Sequence, residues 1–299
     1  MQKYLWIFLT ACAFGTMEIA LHIGGQEFSV LQLTFLRFFI GGLILLPFAI
    51  RNLLKRHYAM RLRDWGAIAL LGFINVCISM TLFQMSVNHC NANLAAVLVS
   101  INPLFTMILA HFIVHEHFTM KKGIVLAICM FGMILVANPI HLAKGNEPIG
   151  ILMGLGASVT FGLYTVLSHR VVKRVGGMSV NSFSFLIGAA FEALLLCILG
   201  EPIFRGINAD NIGVVLYTGI VVTGFGYLCF MRAIETAGAS HASYAFFIKP
   251  IIAMILAALI LNEPITWNIA LGIAIIFCGF AFNAYSPRAK SLVDQKTKI

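Results

Sequence analysis

The sequence predicts an all-α membrane protein, with ten transmembrane helices arranged as two inverted five-helix repeats. Three observations predict it. Of 299 residues, 60% are hydrophobic and only 10% charged, with mean hydropathy +0.95, whereas soluble domains carry about 25% charged residues. A pattern of Gly, Pro and Glu returns 147 positions later without a gap. Finally, Lys and Arg gather in alternate links between the apolar runs, as they do in multi-pass proteins.

The apolar runs cover about 3–21, 30–50, 64–87, 92–115, 121–138, 148–168, 178–199, 211–232, 240–261 and 266–285. Each holds about 20 residues, which spans a bilayer at roughly 1.5 Å per helical residue. The first reads as a span and not as a cleaved signal, because Phe14-Gly15 and His22 return in the sixth as Phe161-Gly162 and His169. Phe38 and Gly41 of the second return in the seventh as Phe185 and Gly188. In the third, Gly66, Gly72 and Phe83 prefigure Gly213, Gly219 and Phe230 of the eighth. The fourth, NANLAAVLVSINPLFTMILAHFIVHE, aligns with the ninth, HASYAFFIKPIIAMILAALILNE, on Ala92/Ala239, Pro103/Pro250 and Glu116/Glu263. The fifth and tenth share Gly132 and Gly279; with Gly123 and Gly272 they predict close packing between these helices, or a dimer face. Shared Leu or Ala proves little in apolar sequence, so Gly, Pro and Glu carry the duplication. The chain divides into a first repeat (1–140), a second, inverted repeat (141–287) and a basic cytoplasmic tail (288–299).

Five spans per copy is odd, so the copies must lie upside down relative to one another. With the N-terminus inside, links such as 51–63 (Arg51, Lys55, Arg56, Arg61, Arg63) and 170–174 (Arg170, Lys173, Arg174) are cytoplasmic, while Lys144 and Arg205 are the bases of the outer links. Both chain ends are then cytoplasmic, in a plasma or inner membrane. The net charge of +9 therefore reflects membrane topology, and no nucleic-acid partner is expected.

Polar residues inside the spans are the candidates for function. Lys249 precedes Pro250 in the middle of the ninth run, and Asn102 precedes Pro103 at the equivalent place. A mid-helix proline frees the carbonyl four residues back, here Val99 and Phe246. Lys249 either pairs with Glu18 or Glu192, or projects into a central cavity and orients an anionic group. Arg37 and Glu192 share a depth, so Arg37, Glu192 and Glu18 read either as structural ion pairs or as an ion-coupling set. Met17, Gln84, Tyr164, Tyr227, Ser243 and Tyr244 complete an aromatic, amphipathic cavity suited to a small zwitterionic or aromatic metabolite. Glu116 and Glu263 read as caps on the helices that follow them.

Enzyme chemistry finds no foothold. The sequence lacks GxSxG, HExxH and Walker patterns, and no cofactor is expected. Its seven cysteines stand singly, without zinc or disulfide spacing. His111, His115 and His117 read as a solvated helix edge and not as a metal site.

Ten spans in two inverted repeats, Phe14-Gly15, Pro103 and Pro250, and Glu116 and Glu263 followed by Gly132 and Gly279 together resemble the EamA family of the drug/metabolite transporter superfamily. The resemblance covers about 3–285 and implies a bacterial inner-membrane carrier, often an exporter of amino acids and related metabolites, acting as monomer or homodimer. It implies a substrate cavity between the repeats, with Pro103 and Pro250 at the hinges of the bending helices. Many relatives carry a neutral or acidic residue where Lys249 stands, so a cationic-drug specificity is not carried over; proton-coupled export of organic cations remains the alternative reading.

Tags placed at the two ends of the chain should be modified from the same side of the membrane. Opposite-sided labelling would exclude the five-plus-five arrangement.

Overall fold

A computed structural model describes residues 2–24, 27–90, 95, 98–116, 119–137, 147–260 and 267–284. Glu263 and the 288–299 tail lie outside the described residues, where all regular structure is helical.

The first run is two helices, α1 (Gln2–Gly15) and α2 (Met17–Gly24), broken at Thr16, whose hydroxyl donates to the Ala13 carbonyl at 2.9 Å. Helix α3 (Val30–Arg56) is capped by Ser29, whose Oγ accepts from the Gln32 amide. The third run begins as α4 (Leu62–Gly72), widens into π-helix over Phe73–Met80 and closes as α5 (Thr81–His89). The Thr81 hydroxyl oxygen stands 3.2 Å from the Val76 carbonyl five residues back, which fits the wider turn. Next come α6 (Asn102–Val114), α7 (Met120–Ala137), α8 (Pro148–Val175) and α9 (Gly177–Leu199). The eighth run repeats the third: α10 (Ile212–Tyr217), π-helix over Thr218–Gly226, and α11 (Tyr227–Ala237). Then follow α12 (Ala239–Ala242), α13 (Ala245–Ile260) and α14 (Trp267–Ala284).

Six helices among the described residues are long and apolar enough to cross a membrane: Tyr4–Leu21, Val30–Arg56, Leu62–His89, Pro148–Val175, Gly177–Leu199 and Ile212–Ala237. The fourth expected span is a shorter apolar helix, Leu98–Val114, while the fifth, ninth and tenth fall on α7, α12–α13 and α14.

The halves meet through glycines, and the contacts are reciprocal. A Cβ on Gly188 of α9 would lie 2.8 Å from the Gly72 carbonyl and 2.5 Å from the Val76 side chain. A Cβ on Gly41 of α3 would lie 3.0 Å from the Gly219 carbonyl and 3.0 Å from the Thr223 side chain. Each residue of the second set is the counterpart of one in the first, 147 positions away, with the halves exchanged. The same exchange joins α7 to α14, where a Cβ on Gly132 would lie 2.8 Å from the Ile276 side chain and one on Gly279 2.8 Å from the Cys129 sulfur. Gly132 and Gly279 thus do pack the fifth run against the tenth, within one chain. Gly15 against Ile252 and Gly162 against Phe105 form a third pair. Without hydrophobic drive between helices in lipid, such close backbone approach is what holds them together.

Gly188→Leu should therefore overpack the crossing, at a cost of about 1–3 kcal/mol, and lower the melting temperature in detergent. Gly66→Ala, at a position with nothing within 4 Å, should leave it unchanged or slightly raised.

Candidate functional site

Two charged side chains are wholly buried where α3 and α9 cross. Arg37 donates through Nη1 to the Met17 sulfur at 3.6 Å, and its guanidinium carbon lies 4.8 Å from the Phe38 ring centroid. Its Nε and Nη2 have no hydrogen-bond partner among the described residues. Glu192 accepts from the Thr81 hydroxyl at 2.7 Å through Oε1, while Oε2 is unpartnered among the described residues. The two charges lie within electrostatic range of each other, yet none of the ion pairs within 4 Å among the described residues joins them.

Beside them stands an aromatic cluster centred on Tyr227. Its ring centroid is 4.9 Å from Phe185, 5.0 Å from Phe14, 5.7 Å from Phe38, 6.2 Å from Phe161 and 6.4 Å from Tyr164. Most of these pairs are edge-to-face, the arrangement favoured by the ring quadrupole. The Tyr227 hydroxyl donates to Asn75 Oδ1 at 3.4 Å. Lys249 of α13 is buried, with Nζ 5.1 Å from the Phe83 centroid and 5.9 Å from that of Phe246, within range of a cation–π attraction. Gln84 donates to Asn88 Oδ1 at 3.3 Å. Gln84 Oε1 and Asn75 Nδ2 have no partner among the described residues, and the Tyr164 hydroxyl faces Ser168 on the same helix.

Met17, Arg37, Gln84, Tyr164, Glu192, Tyr227 and Lys249 are thus all withdrawn from the surface, and Met17, Tyr164 and Tyr227 share one core with Phe14, Phe83, Phe161 and Phe246. Other expected cavity residues are placed differently. Tyr244 packs in a separate cluster with Met107, Val125, Cys129 and Phe247. Ser243 donates back to the Ser240 carbonyl at 2.9 Å, where α12 ends. Asn102 is a tie between helices: its Nδ2 donates to the Ser158 carbonyl at 3.1 Å, and its Oδ1 accepts from Thr106 at 3.0 Å. The Glu18 side chain lies outside the described residues, though its backbone belongs to α2.

The two prolines also differ from each other. Pro103 sits in the first turn of α6, just after a break at Ile101, where a missing N–H costs nothing. Pro250 lies inside α13, with the chain break upstream at Ser243-Tyr244.

Glu116 does cap a helix start, but not that of the helix following it. Thr119 serves α7, accepting from the Lys122 amide. Glu116 reaches instead to α12, accepting from the Ala239 amide at 3.2 Å and the Ser240 hydroxyl at 2.5 Å. Lys122 and His169 each stand 3.7 Å from its carboxylate. One carboxylate thereby gathers the adjacent ends of α6, α7, α8 and α12. Two acids with structural roles escaped sequence reasoning. Asp64 binds the Arg61 amide, the Tyr58 hydroxyl and Arg174. Glu235 accepts from the Gly177 amide at 3.1 Å, just past Gly176, whose φ is +95°. In sequence both resembled ordinary surface acids.

The sequence model of the EamA-like transporter family matches this chain twice, over residues 1–138 and 148–285. A protein from Clostridium kluyveri named "Uncharacterized transporter" is 36% identical over 97% of this chain and 95% of its own length. YoaV of Bacillus subtilis, also named an uncharacterized transporter, is 23% identical over 94% of this chain and 96% of its own length. A solved crystal structure shares the fold at TM-score 0.75, with 19% identity over 94% of this chain and 96% of that one.

Removing the Glu116 cap should cost about 1 kcal/mol. Glu116→Ala should lower the melting temperature more than Glu116→Gln, which keeps an acceptor for the Ala239 amide. Equal melting of Glu116→Ala and the native protein would show that the cap contributes nothing.

Proposed function

The chain belongs to the EamA-like transporter family, and on that premise we propose that it is a secondary transporter. It exports a small metabolite, an amino acid or a close derivative, across the cytoplasmic membrane by alternating access. One observation carries the reading: Arg37, Glu192, Gln84 and Asn75 bury polar atoms that no described protein group satisfies. An unmade buried hydrogen bond costs about 1–3 kcal/mol, and more where the group is charged. A fold stabilised only by packing would not keep four such groups in its interior; water and a polar solute would satisfy them.

Their chemistry suits a zwitterion. Cationic Lys249 and Arg37 complement a carboxylate, Glu192 complements an ammonium group, and the Tyr227 cluster offers faces for an apolar or aromatic side chain. Lys249, set between Phe83 and Phe246, orients the anionic end. The reciprocal glycine contacts support two inverted repeats, hence ten spans and cytoplasmic ends for both termini. Rocking of the repeats would use the breaks at Ile101 and Ser243-Tyr244, beside Pro103 and Pro250. The Glu116 contacts to α12 tie the cytoplasmic ends together, so they must part for substrate to enter from that side.

A second reading is favoured by the buried carboxyl of Glu192 in a chain that also buries the Tyr227 ring cluster, a combination that suits an organic cation exchanged for a proton. Uptake of radiolabelled amino acids into inside-out vesicles separates the two. Lys249→Ala should reduce amino-acid uptake at least tenfold, and unchanged uptake would sink its role. Resistance to quaternary ammonium dyes that vanishes with Glu192→Gln, without any amino-acid uptake by the native protein, would establish the second reading instead.

A further inference from the structure

Between α4 and α8, at the end of the bundle assigned above to the cytoplasm, lies a cleft of about 250 Å³. Its rim carries Arg63, Arg170 and Arg174, and its wall is apolar, including Ala67, Leu70 and Leu167. All three arginines are exposed. Arg174 is neutralised by Asp64 at 2.5 Å. Arg170 donates to the Ile113 carbonyl at the end of α6, which fixes its position but leaves its charge. Arg63 makes no hydrogen bond or ion pair among the described residues. Two guanidinium groups without an acidic partner, drawn to one mouth from two different helices, make a positive site that an anion would complement.

The positive-inside bias explains why bases stand at this end of the helices. It does not explain why three converge on a single cleft with a greasy floor, Leu70 itself being 52% exposed. Neighbouring Trp65 is 40% exposed and packs on Phe183 at 5.0 Å, marking the level of the headgroup region, where indoles settle. A soluble phosphate would use the arginines and leave the apolar wall idle. An amphiphile with a phosphate head uses both.

We propose that this cleft is a binding site for an anionic phospholipid of the cytoplasmic leaflet. Arg63 and Arg170 grip the phosphate in the forked geometry that guanidinium offers, and one acyl chain lies along Ala67, Leu70 and Leu167. Basic pockets between membrane helices on this side are suited to such headgroups. None of the residues lining the cleft belongs to the Arg37–Glu192 cluster, so its test is independent of substrate identity.

The test is native mass spectrometry of the delipidated full-length protein, with added dioleoyl phosphatidylglycerol, dioleoyl phosphatidylcholine or inorganic phosphate, alongside thermal melting. Phosphatidylglycerol should remain bound and raise the melting temperature; phosphatidylcholine and inorganic phosphate should do neither. The double variant Arg63→Gln/Arg170→Gln should lose at least fivefold in phosphatidylglycerol occupancy. Arg51→Gln/Lys55→Gln, which removes the same charge elsewhere on the cytoplasmic side, should lose none. Ala67→Trp fills the apolar wall without touching charge and should also reduce occupancy. Equal loss in both double variants, or equal binding of phosphatidylcholine, would overturn the site. Stabilisation by inorganic phosphate alone would overturn the lipid as its occupant.

Discussion

The bundle depends on how closely its helix backbones approach at the crossings of α3 with the second π-helical segment and of α9 with the first. A Cβ on Gly219 would lie 3.5 Å from the Arg37 carbonyl, and a Cβ on Gly72 would meet the Ser184 carbonyl, its counterpart. Contacts this short leave the side chains on the same turns no freedom of depth. Arg37 is therefore held inside, and Glu192, two turns beyond Ser184 on α9, is held at the matching level. In a bilayer, where apolar side chains gain little by leaving lipid, small residues at crossings do what a hydrophobic core does in water.

Within that frame, the polar interior is incomplete among the described residues. Backbone groups and caps are closed with care: Ser29, Thr119, Glu116 and Glu235 each satisfy a helix start. The side chains around Arg37, Gln84 and Glu192 are not closed in this way. Selection for stability alone would replace such groups with leucine or pair them fully, since a half-satisfied buried network is worse than an apolar one. Buried polar atoms left open around Arg37, Gln84 and Glu192 are what supports the proposed handling of solute there.

Much of this was legible in the sequence, for identifiable reasons. Glycine, proline and buried charge are rare enough at fixed spacing that a shift of 147 reveals them, and the reciprocal contacts follow the same shift. Lys249 and Arg37 were conspicuous because charge within apolar runs is expensive. The partners of Glu116 were not legible, since its contact with Ala239 and Ser240 spans more than 120 residues and local capping rules look only forward along the chain. Tyr244 was grouped with Tyr227 by residue type; the break at Ser243-Tyr244 turns it toward α7 and α14 instead. Asn102 looked like a ligand because a polar side chain in an apolar run has no visible partner until Ser158 is brought beside it. The π-helical turns leave no compositional mark, and only their recurrence in corresponding runs distinguishes them from accident.

The glycine seams also bear on how the protein is made. They join α3 to the run that follows Thr218, α9 to the run that follows Phe73, and α7 to α14, so every seam needs one partner from each half. The first-half helices leave the ribosome with these faces bare; the seam with α9 can close once residues to about 199 are inserted, the seam with α3 after Gly226, and the α7–α14 seam only when residues up to 284 have followed. Biogenesis must therefore pass through intermediates whose glycine-lined faces are still open to lipid. Such an intermediate is a natural client for an insertase or membrane chaperone that shelters narrow, glycine-lined grooves.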